Sequence, residues 1–221
     1  MSKEVQSSQT KAHIRYKNAA GEIVPGVTTI VGLLGLGKQQ LINWANKKGL
    51  EGTDTQKYTK EKQVIGTLAH KMVTDHLQGL KTETKEYSPY QVSAAENSFL
   101  SYLEWEKGKK IEPILIEKPL VSESLQVGGT ADIYAKVDGL HELIDLKTGG
   151  IYNEAIIQVC AYRYLLIESG YLVDRVRIVS IPRDDDDGFS EKVVNNTDAG
   201  MDIFLHLLMI HKRMKELNNH A

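Results

Sequence analysis

Two aspartates and a lysine lie close together in a stretch whose pattern predicts a β-hairpin. Residues 130–137 read as a strand that carries Asp132, an Asp-Gly pair then reverses the chain, and residues 141–147 read as a second strand. Side chains alternate along a strand, so Asp145 and Lys147 share one face of the second strand. The pattern predicts that two carboxylates and one ammonium meet at one edge of a twisted sheet.

These residue types suit phosphate chemistry with a metal ion. Neighbouring carboxylates repel each other unless a cation lies between them, and hard oxygen ligands favour Mg²⁺ or Mn²⁺ over zinc. Such an ion lowers the pKa of a bound water, and a nearby lysine can orient that water and offset developing charge. The alternative is an ordinary hairpin with a surface ion pair, which the Asp-X-Lys spacing alone does not exclude.

The stretch at residues 151–168 predicts a buried helix, because it is apolar on nearly every side. Glu154, Gln158 and Tyr162 interrupt it at positions i, i+4 and i+8, and so lie along one face. An unpaired buried polar group costs about 1–3 kcal/mol, so this face needs partners. An active site would supply them, whereas a structural hydrogen-bond network is the interpretation we prefer for Glu154. Gln158 and Tyr162 are expected to hold Lys147 or a substrate in place.

Four short motifs occur in a characteristic order between about residues 25 and 164. They are Gly66-Thr-Leu-Ala-His70, Gly129-Thr-Ala-Asp132, Ile144-Asp-Leu-Lys-Thr-Gly149, and Gln158 with Tyr162. The ordered set resembles the PD-(D/E)XK nuclease superfamily, and within it the RecB-like and phage exonuclease branch. That branch shows G-x-x-x-H, G-x-x-D, D/E-x-K and Q-x-x-x-Y in the same order. Ala131 stands where the superfamily's name has a proline.

The resemblance implies a role for each matching residue. His70, Asp132, Asp145 and the backbone carbonyl of Leu146 would hold Mg²⁺ or Mn²⁺. Glu117 is a secondary candidate that would support the metal directly or through water, although a solvated strand carboxylate fits it equally well. The catalytic residues implied are Asp132, Asp145, Lys147, Gln158 and Tyr162, with Lys147 positioning the water.

The fold implied by the resemblance is an α/β restriction-endonuclease-like core, with a mixed central β-sheet flanked by helices and an N-terminal helical region. We expect one domain, in which residues 12–110 form the N-terminal hairpin and helical part and residues 111–221 form the catalytic sheet and closing helices.

The function implied is metal-dependent hydrolysis of DNA, expected to be exonucleolytic, in recombination, repair or replication. Two alternatives stay open: a catalytically inactive nucleic-acid-binding or assembly module on the same fold, and a hydrolase of small phosphate esters. A homo-oligomer, or a partner protein from recombination or replication, is compatible with the nuclease hypothesis.

Composition sets the remaining limits. The 221 residues carry a net charge of −2, so there is no overall basic field for nucleic acid, although acidic ligands and a local basic rim could cancel in the sum. A single cysteine, Cys160, excludes a disulfide framework and a multi-cysteine zinc site. The sequence shows no apolar run of transmembrane length and no signal-peptide pattern, which predicts a cytoplasmic protein without a membrane partner.

Helices are predicted at residues 38–48, 60–77, 88–107 and 202–217. The first has Leu41, Ile42 and Trp44 on its apolar side, with Trp44 expected in the core rather than stacking on a base. The polar residues 1–11 are expected to be frayed.

Strands are predicted at residues 13–16 and 22–30, as a hairpin, and at 112–121, 174–181 and 189–194. Glu117 falls inside the strand at 112–121. The acidic run 184–187 is expected to be a solvated hairpin tip. Arg183 and Arg177 are weak candidates for DNA phosphate contacts.

Overall fold

The computed structural model describes residues 14–184 and 188–219, whose backbone forms two compact units. Among these residues, the helical unit comprises Ile14, Gly37–Lys107, 181–184 and 188–189, and the sheet unit comprises Arg15–Leu36, Gly108–Ser180 and 190–219. The prediction for residues 1–11, and those for His13 and for Asp185 to Asp187, fall outside the described residues. The prediction that the chain forms a single domain stays a prediction.

Helices and strands alternate irregularly along the described part of the chain. In chain order the elements are β1 (Tyr16–Lys17), β2 (Ile23–Val24), α1 (Val27–Val31), α2 (Lys38–Leu50), α3 (Thr55–Leu77), α4 (Pro89–Glu106), β3 (Ile111–Ile116), β4 (Pro119–Ser122), β5 (Val127–Thr130), β6 (Ile133–Val137), β7 (Leu140–Lys147), α5 (Asn153–Glu168), β8 (Arg175–Ser180), β9 (Ser190–Val193) and α6 (Thr197–Asn219). None of the described helices is long and apolar enough to cross a membrane.

Helices α3 and α4 form the core of the helical unit and begin at clear capping residues. The Asp54 carboxylate accepts hydrogen bonds from two backbone amides of the first turn of α3, which therefore starts before the predicted residue 60. Ser88 and Gln91 form a capping box at the start of α4, with Pro89 at its first position. The two helices bury a small apolar cluster made of Ile65, Leu68, Ala69, Met72, Ala94 and Ala95.

Helix α2 confirms the helix predicted at residues 38–48 but buries none of its residues. Leu41 is 63% exposed and Ile42 is 60% exposed, and Trp44 is half-buried. The expectation that this side of the helix packs into a core is wrong. The physical reason is that Leu41 and Trp44 lie beside Thr55, Thr59 and Lys60 in the first turns of α3, in an open groove rather than against a buried apolar cluster.

The sheet unit is built on a five-stranded mixed sheet in the order β3-β6-β7-β8-β9. Strands β6 and β7 form the predicted hairpin, and Asp138 and Gly139 at its turn have φ values of 49° and 94°. Two consecutive left-handed residues are what a type I′ turn requires, which is why Asp-Gly is a strong signal. Strand β8 runs parallel to β7 and antiparallel to β9, which confirms the strands predicted at 174–181 and 189–194.

Helix α5 connects β7 to β8, because two parallel strands need a crossover that is longer than a hairpin turn. The helix buries Ala155, Ile157, Val159 and Cys160 in the main apolar cluster together with Phe204 of α6. This confirms the predicted buried helix and a mixed α/β class with a mixed central sheet flanked by helices.

Two predicted strands are each interrupted, and the two interruptions lie side by side. The strand expected at 112–121 ends at Ile116, because Glu117 has a left-handed φ of 47°, and it resumes as β4. The strand expected at 130–137 is interrupted between Thr130 and Ile133, so Asp132 lies at a junction rather than inside a strand. The Glu117 amide donates to the Asp132 carbonyl at 2.9 Å, while β4 and β5 pair as a separate two-stranded sheet.

The predicted N-terminal hairpin is present but short, with β1 and β2 of two residues each. Its second strand was expected to reach residue 30. Instead Pro25 and Gly26 end the extended segment, and Val27, Ile30 and Val31 bury one side of the short helix α1.

The start of β8 is fixed to β7 by Asp174. Its Oδ2 accepts a hydrogen bond from the His141 amide at 2.8 Å. This backbone hydrogen bond lowers the pKa of the Asp174 carboxyl below its ordinary value of 3.8.

Candidate functional site

The two predicted carboxylates both lie at the end of β7. Asp145 is in β7 with 1% of its surface exposed, and Leu146 beside it is fully buried. From the junction before β6, Asp132 extends its carboxylate to β7, where Oδ2 accepts a hydrogen bond from the Leu146 amide at 2.9 Å. The break between β5 and β6 therefore allows Asp132 to approach the end of the neighbouring strand.

Lys147 supplies a cation beside this pair. Its Nζ lies 2.7 Å from Asp145 Oδ2. Burial disfavours the ammonium, but attraction to the carboxylates of Asp145 and Asp132 outweighs burial and raises the pKa of Lys147. The side chain therefore stays charged at neutral pH.

Helix α5 holds Lys147 through a chain of polar contacts. Gln158 Oε1 accepts from Lys147 Nζ at 3.4 Å, and Gln158 Nε2 donates to the Tyr162 hydroxyl at 2.7 Å. Burial raises the pKa of Tyr162, which keeps its hydroxyl protonated and able to donate in turn. The i, i+4 spacing of Gln158 and Tyr162 is what aligns the two side chains along the helix.

Consecutive glycines of β5 make room for two tyrosine rings on opposite faces of the strand. A Cβ at Gly129 would lie 2.6 Å from Cε1 of Tyr162, and a Cβ at Gly128 would lie 2.2 Å from Cγ of Tyr16. Tyr16 also hydrogen-bonds to Thr130 through its hydroxyl, at 3.0 Å. The glycine of the G-x-x-D motif thus has a packing reason: it lets the Tyr162 ring lie directly against the strand.

The loop after Lys147 is anchored by a residue that the sequence pattern did not single out. Ser180 pairs with Lys147 in the parallel register of β8 and β7, and its Oγ donates to the Gly149 carbonyl at 2.6 Å. A serine at the end of a strand is too common to be recognised from sequence alone.

Five of the predicted site residues meet within the sheet unit, namely Asp132, Asp145, Lys147, Gln158 and Tyr162. Glu117 joins them through its backbone contact with Asp132, and its side chain is half-buried. His70 lies on α3 and Arg183 follows Pro182, so both belong to the helical unit, and both are half-buried. The roles predicted for His70 and Arg183 stay predictions.

The prediction that Arg177 contacts DNA phosphates is wrong, because a phosphate-binding residue must be exposed to solvent and Arg177 is buried. It is 7% exposed, and its Nε donates to Glu142 Oε2 at 3.0 Å while its Nη1 donates to Glu191 at 2.8 Å. Glu142 is fully buried and also accepts from Arg175 at 2.7 Å. The Arg-Val-Arg alternation in β8, beside an isolated glutamate in β7, was the signal for this network.

The donors in the sheet unit fit a hard divalent cation. Asp132, which accepts from the Leu146 amide, and Asp145, which precedes Leu146, can supply carboxylate oxygens. Mg²⁺ is commonly held by one or two carboxylates together with water and substrate phosphate. Across residues 14–184 and 188–219, no three His, Cys, Asp or Glu side chains form a group that could hold a metal ion. Further ligands would therefore come from the Leu146 carbonyl, water or substrate.

Comparisons with known proteins identify no family for this chain. No family model and no curated protein matches it. Among solved structures it is similar to the crystal structure of SSO0001, at 15% sequence identity over 65% of this chain and 84% of that chain, with a TM-score of 0.29. A TM-score this low supports no conclusion about fold or function.

Proposed function

We propose that this protein is a Mg²⁺- or Mn²⁺-dependent deoxyribonuclease with a restriction-endonuclease-like core of the PD-(D/E)XK type. The proposal depends on one observation: Asp132, Asp145, Lys147, Gln158 and Tyr162 form a continuous set of contacts at the end of β7. The order of the four sequence motifs adds support and favours an exonuclease of recombination, repair or replication.

The roles of the residues follow from these contacts. A divalent ion held by Asp132, Asp145 and the Leu146 carbonyl would lower the pKa of a bound water and offset phosphate charge. Lys147 orients the attacking water and stabilises the negative charge that develops on the phosphate oxygens. Gln158 fixes the direction of the Lys147 ammonium, and Tyr162 fixes Gln158.

The test is degradation of end-labelled DNA, single- and double-stranded, linear and circular, with Mg²⁺, Mn²⁺ or EDTA. We expect metal-dependent cleavage, and a loss of roughly 10²- to 10⁴-fold in Lys147→Ala, as for removal of a group that moves a proton or stabilises charge in the transition state. The matched control is Lys136→Ala, which removes an exposed lysine from the adjacent strand β6 and should leave the rate unchanged.

Each other outcome has a definite meaning. Cleavage that survives Lys147→Ala would contradict the assigned site. Protein that binds DNA but cleaves none of the substrates under any metal condition would favour the inactive nucleic-acid-binding module instead. Cleavage of linear but not circular DNA would establish exonuclease action.

A further inference from the structure

A basic segment lies in the helical unit of a chain that is acidic overall. Residues 38–62, which span α2 and the first part of α3, contain six lysines and three carboxylates, a net charge of +3, whereas the whole chain carries −2. Lys57 and Lys60 are solvent-exposed. This segment therefore carries net positive charge, with Lys48 and Lys62 forming ion pairs with Glu51 and Asp184. A local basic surface is what attracts a polyanion.

Two aromatic rings lie within the same segment. The rings of Trp44 in α2 and Tyr58 in α3 have centroids 5.8 Å apart and are tilted by 52°. Tyr58 is 38% exposed, and Lys62 Nζ lies 5.6 Å from its ring centroid, held there by an ion pair with Asp184 at 2.9 Å. Asp184 offsets the Lys62 charge, so the exposed Lys57 and Lys60 supply the positive charge next to this aromatic pair.

A groove of about 490 Å³ lies between the two helices. Its α2 wall is apolar, and its α3 wall carries hydroxyl, amide and ammonium groups. Its lining includes Leu41, Trp44, Thr55, Gln56, Thr59 and Lys60. The volume is within the range of pockets that take small organic groups, so a nucleobase has room to enter.

We propose that this surface binds single-stranded DNA, with a base against Trp44 and neighbouring phosphates near Lys57 and Lys60. Proteins that bind single strands without sequence preference combine aromatic stacking platforms with a basic groove. A protein partner is the less suitable occupant, because protein interfaces are depleted in lysine, which is the most frequent residue type of this segment. The binding proposal goes beyond nuclease activity and does not require it.

Intrinsic fluorescence provides a direct test, because the chain has two tryptophans and Trp105 is only 7% exposed. The full-length protein is titrated with an oligothymidylate of about 16 nucleotides, near the upper end of common single-strand site sizes, in EDTA so that cleavage cannot occur. We expect quenching that saturates. Trp44→Phe should abolish most of the quenching yet retain binding, because phenylalanine still offers a ring for stacking.

Affinity is measured in parallel by anisotropy of the labelled oligonucleotide. Trp44→Ala should weaken binding roughly 5- to 150-fold, the range expected for loss of one stacked base. Tyr90→Ala removes a tyrosine that is 60% exposed on α4 and should change nothing. Lys57→Ala combined with Lys60→Ala should lower the slope of log affinity against log salt by about 1.4, which corresponds to two lost phosphate contacts.

Three results would overturn the proposal: equal affinity of the wild type and Trp44→Ala, duplex DNA of the same length bound as tightly as the single strand, or Trp44-dependent self-association without DNA binding. Self-association would identify the surface as an interface between copies of the chain. Because α2 buries no residue, and because Lys57, Lys60 and Tyr90 are exposed, these variants are expected to unfold at the wild-type midpoint. Lys147→Ala should still bind the oligonucleotide, so failure of the nuclease proposal is separable from failure of this one.

Discussion

Gly129→Ala is the smallest change that tests how the candidate site is assembled. The added methyl group would lie 2.6 Å from Cε1 and 2.9 Å from Cδ1 of Tyr162, and 3.0 Å from a methyl group of Leu165. Ordinary van der Waals contact begins at 3.4 Å, so the Tyr162 ring must move by about 0.8 Å. That movement would pull the Tyr162 hydroxyl away from Gln158 and loosen the contact that holds Lys147.

The magnitude follows from two opposing effects. Inserting a methyl group into a packed core costs about 1–3 kcal/mol. Replacing glycine at a position whose φ is not left-handed restricts the unfolded chain and returns about 0.4–1 kcal/mol. We therefore expect the free energy of unfolding of Gly129→Ala to fall by about 1–2 kcal/mol, and nuclease activity to fall by up to about 10²-fold, as expected for a misplacement of about 1 Å.

Denaturant unfolding and a double-mutant cycle with Tyr162→Leu measure the effect. Removing the ring makes room for the methyl group, so the double variant should be more stable than the sum of the two single changes predicts, by about 1 kcal/mol. Gly49→Ala is the control, because a Cβ there meets nothing within 4 Å. It should be neutral or slightly stabilising. Additive effects of Gly129→Ala and Tyr162→Leu would refute the packing argument.

Three further predictions concern stability and reactivity. Burial raises the pKa of Cys160 to about 11, so at pH 8 a thiol reagent should label the native protein far more slowly than the unfolded protein, and equal rates would contradict this. Arg177→Met should lower the free energy of unfolding by about 3–5 kcal/mol, because buried Glu142 would then keep only its weaker partner, Arg175. Arg175→Met, at a half-exposed position, should cost under about 1 kcal/mol. Denaturant unfolding measures both variants. The lowered pKa of Asp174 stabilises the fold above pH 3.8, and this stabilisation is lost as the pH falls through the folded-state pKa. The free energy of unfolding of Asp174→Asn should therefore change less steeply with pH at acid pH than that of the wild type. An unchanged pH dependence would exclude the effect.

The parts of the fold that were predictable from sequence are those with local causes. An Asp-Gly pair produces a type I′ turn wherever the flanking strands can pair, so the β6–β7 hairpin was foreseeable. The polar stripe on α5 was foreseeable too, because the helical period alone aligns Gln158 with Tyr162. The position of Lys147 on the same face as Asp145 was foreseeable as well, because side chains alternate along β7.

The features that sequence reasoning missed depend on distant partners. The breaks at Glu117 and Asp132 occur together, because two antiparallel strands leave the central sheet at the same level, and neither break has a local signal strong enough to stand alone. The exposure of Leu41 and Ile42 could not be read from their helical spacing, since the same spacing fits a helix that packs into a core.

Strand β7 carries two carboxylates whose surroundings differ in a way that bears on function. Glu142 is fully buried and accepts hydrogen bonds from two guanidinium groups, so its charge is compensated by rigid, permanently ionised partners. Asp145, on the opposite face of the strand, shares with Asp132 the attraction of one flexible ammonium, and these three groups together carry −1. A structural ion pair gains stability from full compensation, whereas a site for a hard cation needs residual negative charge that the ion completes. By that criterion Glu142 is structural, whereas the charge of Asp132, Asp145 and Lys147 is compatible with the divalent ion that we propose at the end of β7.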